Sequence, residues 1–188
     1  MGTDKAMLAI GGRTLLDRSV ATLALVCDEV VVVTRADQSL PDLPSSARVV
    51  VDRVADAGPL AGIEAALQAC GSELLVVVPV DMPLVGTDLL RLLVDAARAD
   101  PGADAVVLRF TRGSAPFPAV LRPRARIVAR ELLDAGERRV TALFGRLRVG
   151  SIPEAGWRPL DPFGRWGVNL NAPGDLAGAA LPPAGTSA

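Results

Sequence analysis

The 188-residue chain has no histidine and no tyrosine, and only 3% of its residues are aromatic. Without an imidazole, a serine or cysteine nucleophile has no histidine base, the usual zinc ligand sets cannot be assembled, and phosphotransfer through histidine is excluded. Few aromatics leave few platforms for stacked bases, and 20 basic against 21 acidic residues give a net charge of −1. A nucleic-acid partner is therefore not expected. The two cysteines, Cys27 and Cys70, are far apart and form no CxxC pair. No apolar run approaches the length of a membrane span, and the start MGTDKAML is no signal peptide, so the expected setting is the reducing cytoplasm. What remains is carboxylate, lysine, arginine and amide chemistry. Those groups hold Mg²⁺ and phosphates, where catalysis is mostly positioning and charge stabilisation. The elimination points to phosphoryl or nucleotidyl transfer.

What is present is ample apolar material: 50% of the residues are hydrophobic, enough for one core in a chain of this length. One domain over residues 1–180 is expected, with a disordered tail from 181 to 188, where PPAG falls. Thr14 to Val26 carries apolar residues at helical spacing, and Glu29 to Thr34 (EVVVVT) reads as a buried strand. A second strand, Ala47 to Val51, ends at Asp52. A helix follows Gly58, a strand runs to Asp81, a helix spans about Thr87 to Arg98, and a strand covers Asp104 to Arg109. Alternating strands and helices predict an α/β fold with a mostly parallel sheet and right-handed crossovers. SAPFPAVLRP reads as an irregular edge strand because of its prolines. Arg124 to Leu133 and VTALFGRL read as helices. Strands near Val149 and Val168 and a last helix from Pro173 complete the expected order.

Two segments look functional. The run LLVVVPVDMP, Leu74 to Pro83, drives an apolar strand into Asp81 and stops it with prolines. A carboxylate is thereby expected at the carboxyl edge of the sheet, where open α/β sheets bind ligands. The alternative role for Asp81 is capping the helix that starts near Gly86 or Thr87. Upstream, GPLAGIEAAL opens a helix with glycines at its turn, so a backbone could approach a phosphate or base edge closely. A plain packing turn is the competing reading there.

In order and spacing, MGTDKAML, VVVD ending at Asp52, GPLAGI, PVDMP, GERRV (Gly136 to Val140) and GVNLNAPGDL resemble the molybdenum cofactor guanylyltransferase family over nearly the whole chain. The resemblance implies a doubly wound, mostly parallel, Rossmann-like nucleotidyltransferase sheet with helices on both faces. It also implies Mg²⁺-assisted transfer of GMP from GTP to the terminal phosphate of molybdopterin, with release of pyrophosphate. On that basis Lys5 would contact the triphosphate, Asp52 and the Gly58, Pro59, Leu60 turn would contact the nucleotide, and Asp81 would hold Mg²⁺ between phosphates. Arg138 or Arg139 would meet the acceptor's phosphate, and Asn169 and Asn171, two apart on a strand, would address one ligand or the metal's waters. Molybdenum-insertion proteins or molybdoenzyme chaperones are the implied macromolecular partners.

Two departures from the family pattern stand out. Ala172 and Gly174 replace the family's threonine and glutamate before the last helix. At the front, the family has a first strand and a glycine-rich loop ahead of the aspartate and lysine seen here as Asp4 and Lys5, whereas this sequence opens inside that loop. The expectation is that the start lies upstream, and that the strands Glu29 to Thr34 and Leu74 to Val80 lack the partner between them. Two other activities stay open: a related transferase using CTP or another small phosphorylated acceptor, and a non-catalytic binding protein of the same fold. The GPLAGI turn favours the guanine enzyme, because cytidylyl relatives usually carry a serine-rich segment there.

Overall fold

The computed structural model describes residues 5–36, 38, 40–44, 47–52, 58–111 and 113–168. A 3-10 turn at Lys5–Met7 leads into a small antiparallel pair, β1 (Ala9–Ile10) and β2 (Arg13–Thr14), and then α1 (Leu15–Ala24). Thr14 caps α1: its hydroxyl accepts from the Asp17 N–H, and the Asp17 carboxylate accepts from the Thr14 N–H, a reciprocal pair that satisfies two main-chain donors at the helix start. β3 (Val30–Arg35) and β4 (Ala47–Asp52) follow, then α2 (Gly58–Ala69), β5 (Leu75–Val77) and α3 (Thr87–Ala99). The second half contains β6 (Ala105–Phe110), β7 (Gly113–Leu121), α4 (Ala125–Asp134), α5 (Val140–Arg146), β8 (Val149–Ile152) and the short α6 (Glu154–Trp157), and a 3-10 turn at Arg165–Gly167 closes it.

β3 and β4 pair in parallel from Val30 opposite Ala47 to Arg35 opposite Asp52. A separate four-stranded sheet has the order β5, β7, β6, β8, with β6 and β8 parallel and β7 antiparallel to both of its neighbours. α2 packs on β3, β4 and β5, while Leu23 and Val26 at the end of α1 pack with Leu74, Val76 and Val78. Helices thus cover both faces across a break between β3 and β5. The break is where the sequence left two strands without a common neighbour.

Three expectations need correction. The strand before Asp81 was read as buried on both faces from Leu74 onward, yet it is assigned only over Leu75–Val77, and every residue from Leu74 to Val80 is half-buried. Among the described residues its ladder is made with β7 alone. The segment read as an edge strand, β7, lies inside the sheet. Its prolines are tolerated because Ala119 to Leu121 carry the two-sided pairing, and Pro116 and Pro118 fall where the register to β6 shifts between Val107 and Arg109. Near Val168 no strand forms among the described residues; Val168 is the extended residue ending the Arg165–Gly167 turn. The expected helix from Pro173 and the tail 181–188 lie outside the described residues.

Two apolar layers flank the four-stranded sheet. One joins α2, α4 and α5 to β6 and β7 through Leu60, Ile63, Leu121 and Leu143. The other joins α3 to the same strands through Leu90, Leu93 and Leu108, and ends on Trp157 and Trp166, both fully buried. There Phe110 stacks on Trp166 at 4.7 Å between centroids and meets Trp157 edge-on, and the Trp157 indole N–H donates to the Arg109 carbonyl at 3.0 Å.

Candidate active site at the carboxyl edge of the strands

Pro79 lies two residues beyond the end of β5, and the chain turns sharply as the Met82 N–H bonds the Pro79 carbonyl at 3.1 Å. Asp81 sits on this turn. The residue capping α3 is Gly86, with no side-chain bond to the helix, so Asp81 does not serve as its cap. Instead its Oδ2 accepts from the Lys5 ammonium at 3.0 Å, a contact between residues 76 positions apart. Lys5 is held there because its neighbour Ala6 is buried against Leu16, Val20, Val30 and Val32, with Val80 alongside. The side chains of Lys5 and Asp81 remain 41% and 22% exposed, so the pair adds at most about 1 kcal/mol to stability. Two opposite charges kept reachable from solvent at a strand end suit a ligand carrying both anionic groups and a cation.

Asp52 is the last residue of β4 and pairs in register with Arg35, at the carboxyl edge of the parallel pair. α2 then begins at Gly58 with φ +66°, a left-handed geometry open to glycine. Pro59 is exposed in the first turn, where its fixed φ suits a helix start. Leu60 is fully buried in the core, so only its main chain is available to a ligand. A β-carbon on Gly58 would lie 3.6 Å from the Arg138 carbonyl oxygen. GPLAGI and GERRV, about eighty residues apart in sequence, therefore meet at the start of α2.

GERRV is ordered by a residue that the sequence did not single out. Gly136, at φ +81°, follows α4, and the Glu137 carboxylate then accepts from the Arg138 N–H at 2.8 Å and the Arg139 N–H at 2.9 Å. It also takes three bonds from the Arg139 guanidinium, the shortest at 2.6 Å. The guanidinium first, and then these two main-chain N–H groups, pull the Glu137 carboxyl down to about 2. Arg139 is the residue preceding α5, and Arg138 donates to the carbonyls of Leu133 and Glu137. The two arginines are thus presented on a braced turn, both exposed. A glutamate immediately before an arginine pair ahead of a helix was the available signal for this brace.

Asn169 and Asn171 lie outside the described residues. Among the described residues no group of three or more His, Cys, Asp or Glu could cage a metal ion, and no helix is long and apolar enough to cross a membrane. A cation here would have Asp81 as protein ligand and would take its remaining oxygens from ligand phosphates and water, the usual manner for Mg²⁺.

The MobA-like NTP transferase domain model matches residues 1–149. A probable molybdenum cofactor guanylyltransferase from Chloroflexus aggregans is 36% identical over 186 residues, covering 93% of this chain and 85% of the relative. The structure of molybdopterin-guanine dinucleotide biosynthesis protein A from Archaeoglobus fulgidus superimposes with a TM-score of 0.77 at 24% identity, over 94% of this chain and 88% of that one. A Mycobacterium tuberculosis protein solved in complex with manganese superimposes with a TM-score of 0.58 at 20% identity, over 81% of this chain and 82% of its own. Both superpositions carry the same nucleotidyltransferase fold. With a family model over most of its length and a relative at this identity, the chain belongs to the MobA-like NTP transferases, the family of the molybdenum cofactor guanylyltransferases.

Proposed function

We propose that this protein transfers GMP from GTP to the terminal phosphate of molybdopterin. A phosphate oxygen of the acceptor attacks the α-phosphorus of GTP, the bond from that phosphorus to the bridging oxygen breaks, and pyrophosphate leaves with the electron pair. The product is a guanine dinucleotide of the cofactor. The single observation that supports this most is the Lys5–Asp81 pair, which joins the two charges such a substrate needs at the end of β5.

In this reading the pair opens as substrate enters. Lys5 then faces the triphosphate, where its charge offsets the negative charge growing on the leaving pyrophosphate. Asp81 holds Mg²⁺, a hard carboxylate oxygen for a hard cation. Bound there, the ion neutralises phosphate charge and orients the triphosphate. Main-chain N–H groups of the α2 start, at Gly58 to Leu60, meet the nucleotide, and Asp52 closes its other side. Arg138 or Arg139, on the turn braced by Glu137, takes the acceptor's phosphate, for which a guanidinium fork is suited. Because the chain needs no side-chain base for this chemistry, its lack of histidine is no obstacle. The reaction belongs in the cytoplasm.

The test is a thermal-melting panel with GTP, CTP, ATP and UTP, each with and without Mg²⁺. Selective stabilisation by GTP together with Mg²⁺ supports the reading. Equal response to CTP, or none to any nucleotide, refutes it.

A further inference from the structure

α2 and α4 lie against each other in opposite directions. At one end of the pair the start of α2 meets the turn that follows α4, where a β-carbon on Gly58 would lie 3.6 Å from the Arg138 carbonyl oxygen. Further along α2 the Glu64 carboxylate accepts from the guanidinium of Arg126, in the first turn of α4, at 2.9 Å. The Glu64 side chain is enclosed in the core, only 6% exposed, whereas that of Arg126 is 43% exposed. An enclosed carboxylate is costly to keep, and an apolar pair of similar volume would hold two helices together at least as well. Adhesion alone therefore does not account for it. What an ion pair supplies is direction. The remainder of the contact is apolar and shallow: α4 brings Ala125, Ala129 and Leu133, every fourth residue, into the layer that contains Leu60, Ala61, Ile63 and Leu67 of α2. Methyl groups make low ridges, so packing of this kind resists sliding of one helix along the other only weakly.

We propose that Glu64 is a positioning residue: its bond to Arg126 fixes the register of α2 against α4, and with it the separation between the nucleotide turn at Gly58 to Leu60 and the acceptor turn at Arg138 and Arg139. The inference rests on the guanylyl-transfer reading for what the two turns hold, and it gives Glu64 no contact with either substrate. Each turn keeps its own geometry, through the left-handed Gly58 on one side and the Glu137 brace on the other. Loss of the pair therefore leaves each substrate's binding nearly unchanged. What changes is the alignment of the two: a slip of about 1 Å carries the acceptor phosphate off its line to the α-phosphorus, and misplacement of that size costs up to about 100-fold in rate.

The test sets steady-state transfer from GTP to molybdopterin beside melting for the parent and its variants. Glu64→Leu keeps the volume and removes the bond, leaving Arg126 to water, so Tm is expected to stay within about 4 °C of the parent. Its kcat should fall about tenfold or more, while KM for GTP and for the acceptor stays within about threefold. Glu64→Gln retains an oxygen that accepts from Arg126 and should keep kcat within about threefold of the parent. If Glu64→Leu melts early, the double replacement Glu64→Leu with Arg126→Met removes the stranded guanidinium and is expected to show the same split between kcat and KM. The proposal is overturned if the folded leucine variant turns over like the parent, if the loss falls on KM instead of kcat, or if Glu64→Gln is as slow as Glu64→Leu. A parent that uses CTP in place of GTP refutes the guanylyl reading, and the same comparison made with CTP still decides the role of Glu64; a parent inactive with every nucleotide overturns both.

Discussion

Replacing Asp81 by asparagine separates a chemical role from a structural one. In the folded chain Asp81 accepts from Lys5 at 3.0 Å, in a pair whose members are 22% and 41% exposed. Such a pair is worth at most about 1 kcal/mol, and the asparagine oxygen still accepts from Lys5, so the loss in Tm should be no more than about 2 to 4 °C in a domain of this size. Turnover should respond on another scale. If the carboxylate is the protein's anchor for Mg²⁺ against the triphosphate, its loss removes roughly 3 to 4 kcal/mol of transition-state stabilisation, a fall of about 100- to 1000-fold in pyrophosphate release. The assay pairs calorimetric melting with pyrophosphate release at saturating Mg²⁺ on the same Asp81→Asn preparation. A fall in Tm beyond about 8 °C with a matching loss of activity would make Asp81 a structural residue. Turnover within about tenfold of the parent would remove it from the metal site altogether.

Lys5→Ala should weaken binding of GTP more than of GDP, read by calorimetric titration; equal losses would show a general defect of the fold. Gly58→Ala forces an alanine to φ +66°, at roughly 1 to 2 kcal/mol, and should lower Tm by about 2 to 8 °C and weaken nucleotide binding, both measurable by melting with and without GTP. Glu137 has its folded pKa depressed to about 2, so its contribution to the braced turn is complete above the ordinary carboxylate value and fades only as pH falls toward 2. The Arg138 and Arg139 amide signals in an NMR titration should therefore hold steady from pH 7 to about pH 4, and a midpoint near the ordinary 4.3 would contradict the brace.

Periodicity located the regular elements well, because their patterns are local. Thr14 to Val26 became α1 with its cap at Thr14, and GPLAGI became the start of α2. The carboxyl-edge position of Asp81 was readable because proline punctuates an apolar run, a signal that needs no tertiary information. Its partner Lys5 was named too, though their contact across 76 positions depends on where Ala6 is buried, which no local pattern reveals. The interior place of β7 was misread since proline normally marks an edge; the bulge opposite Val107 and Arg109 that accommodates it is a property of the pairing. Half-burial of Leu74 to Val80 was likewise invisible, because hydrophobicity records what a strand is suited to touch rather than what lies beside it.

The central claim is guanylyl transfer, and the most direct measurement is turnover of α-labelled GTP with molybdopterin and Mg²⁺, following pyrophosphate and the labelled dinucleotide together. The account predicts equal amounts of the two products, dependent on both Mg²⁺ and acceptor, with CTP a poor substitute for GTP. Labelled nucleotide that never enters the pterin product, or CTP used as readily as GTP, would contradict it.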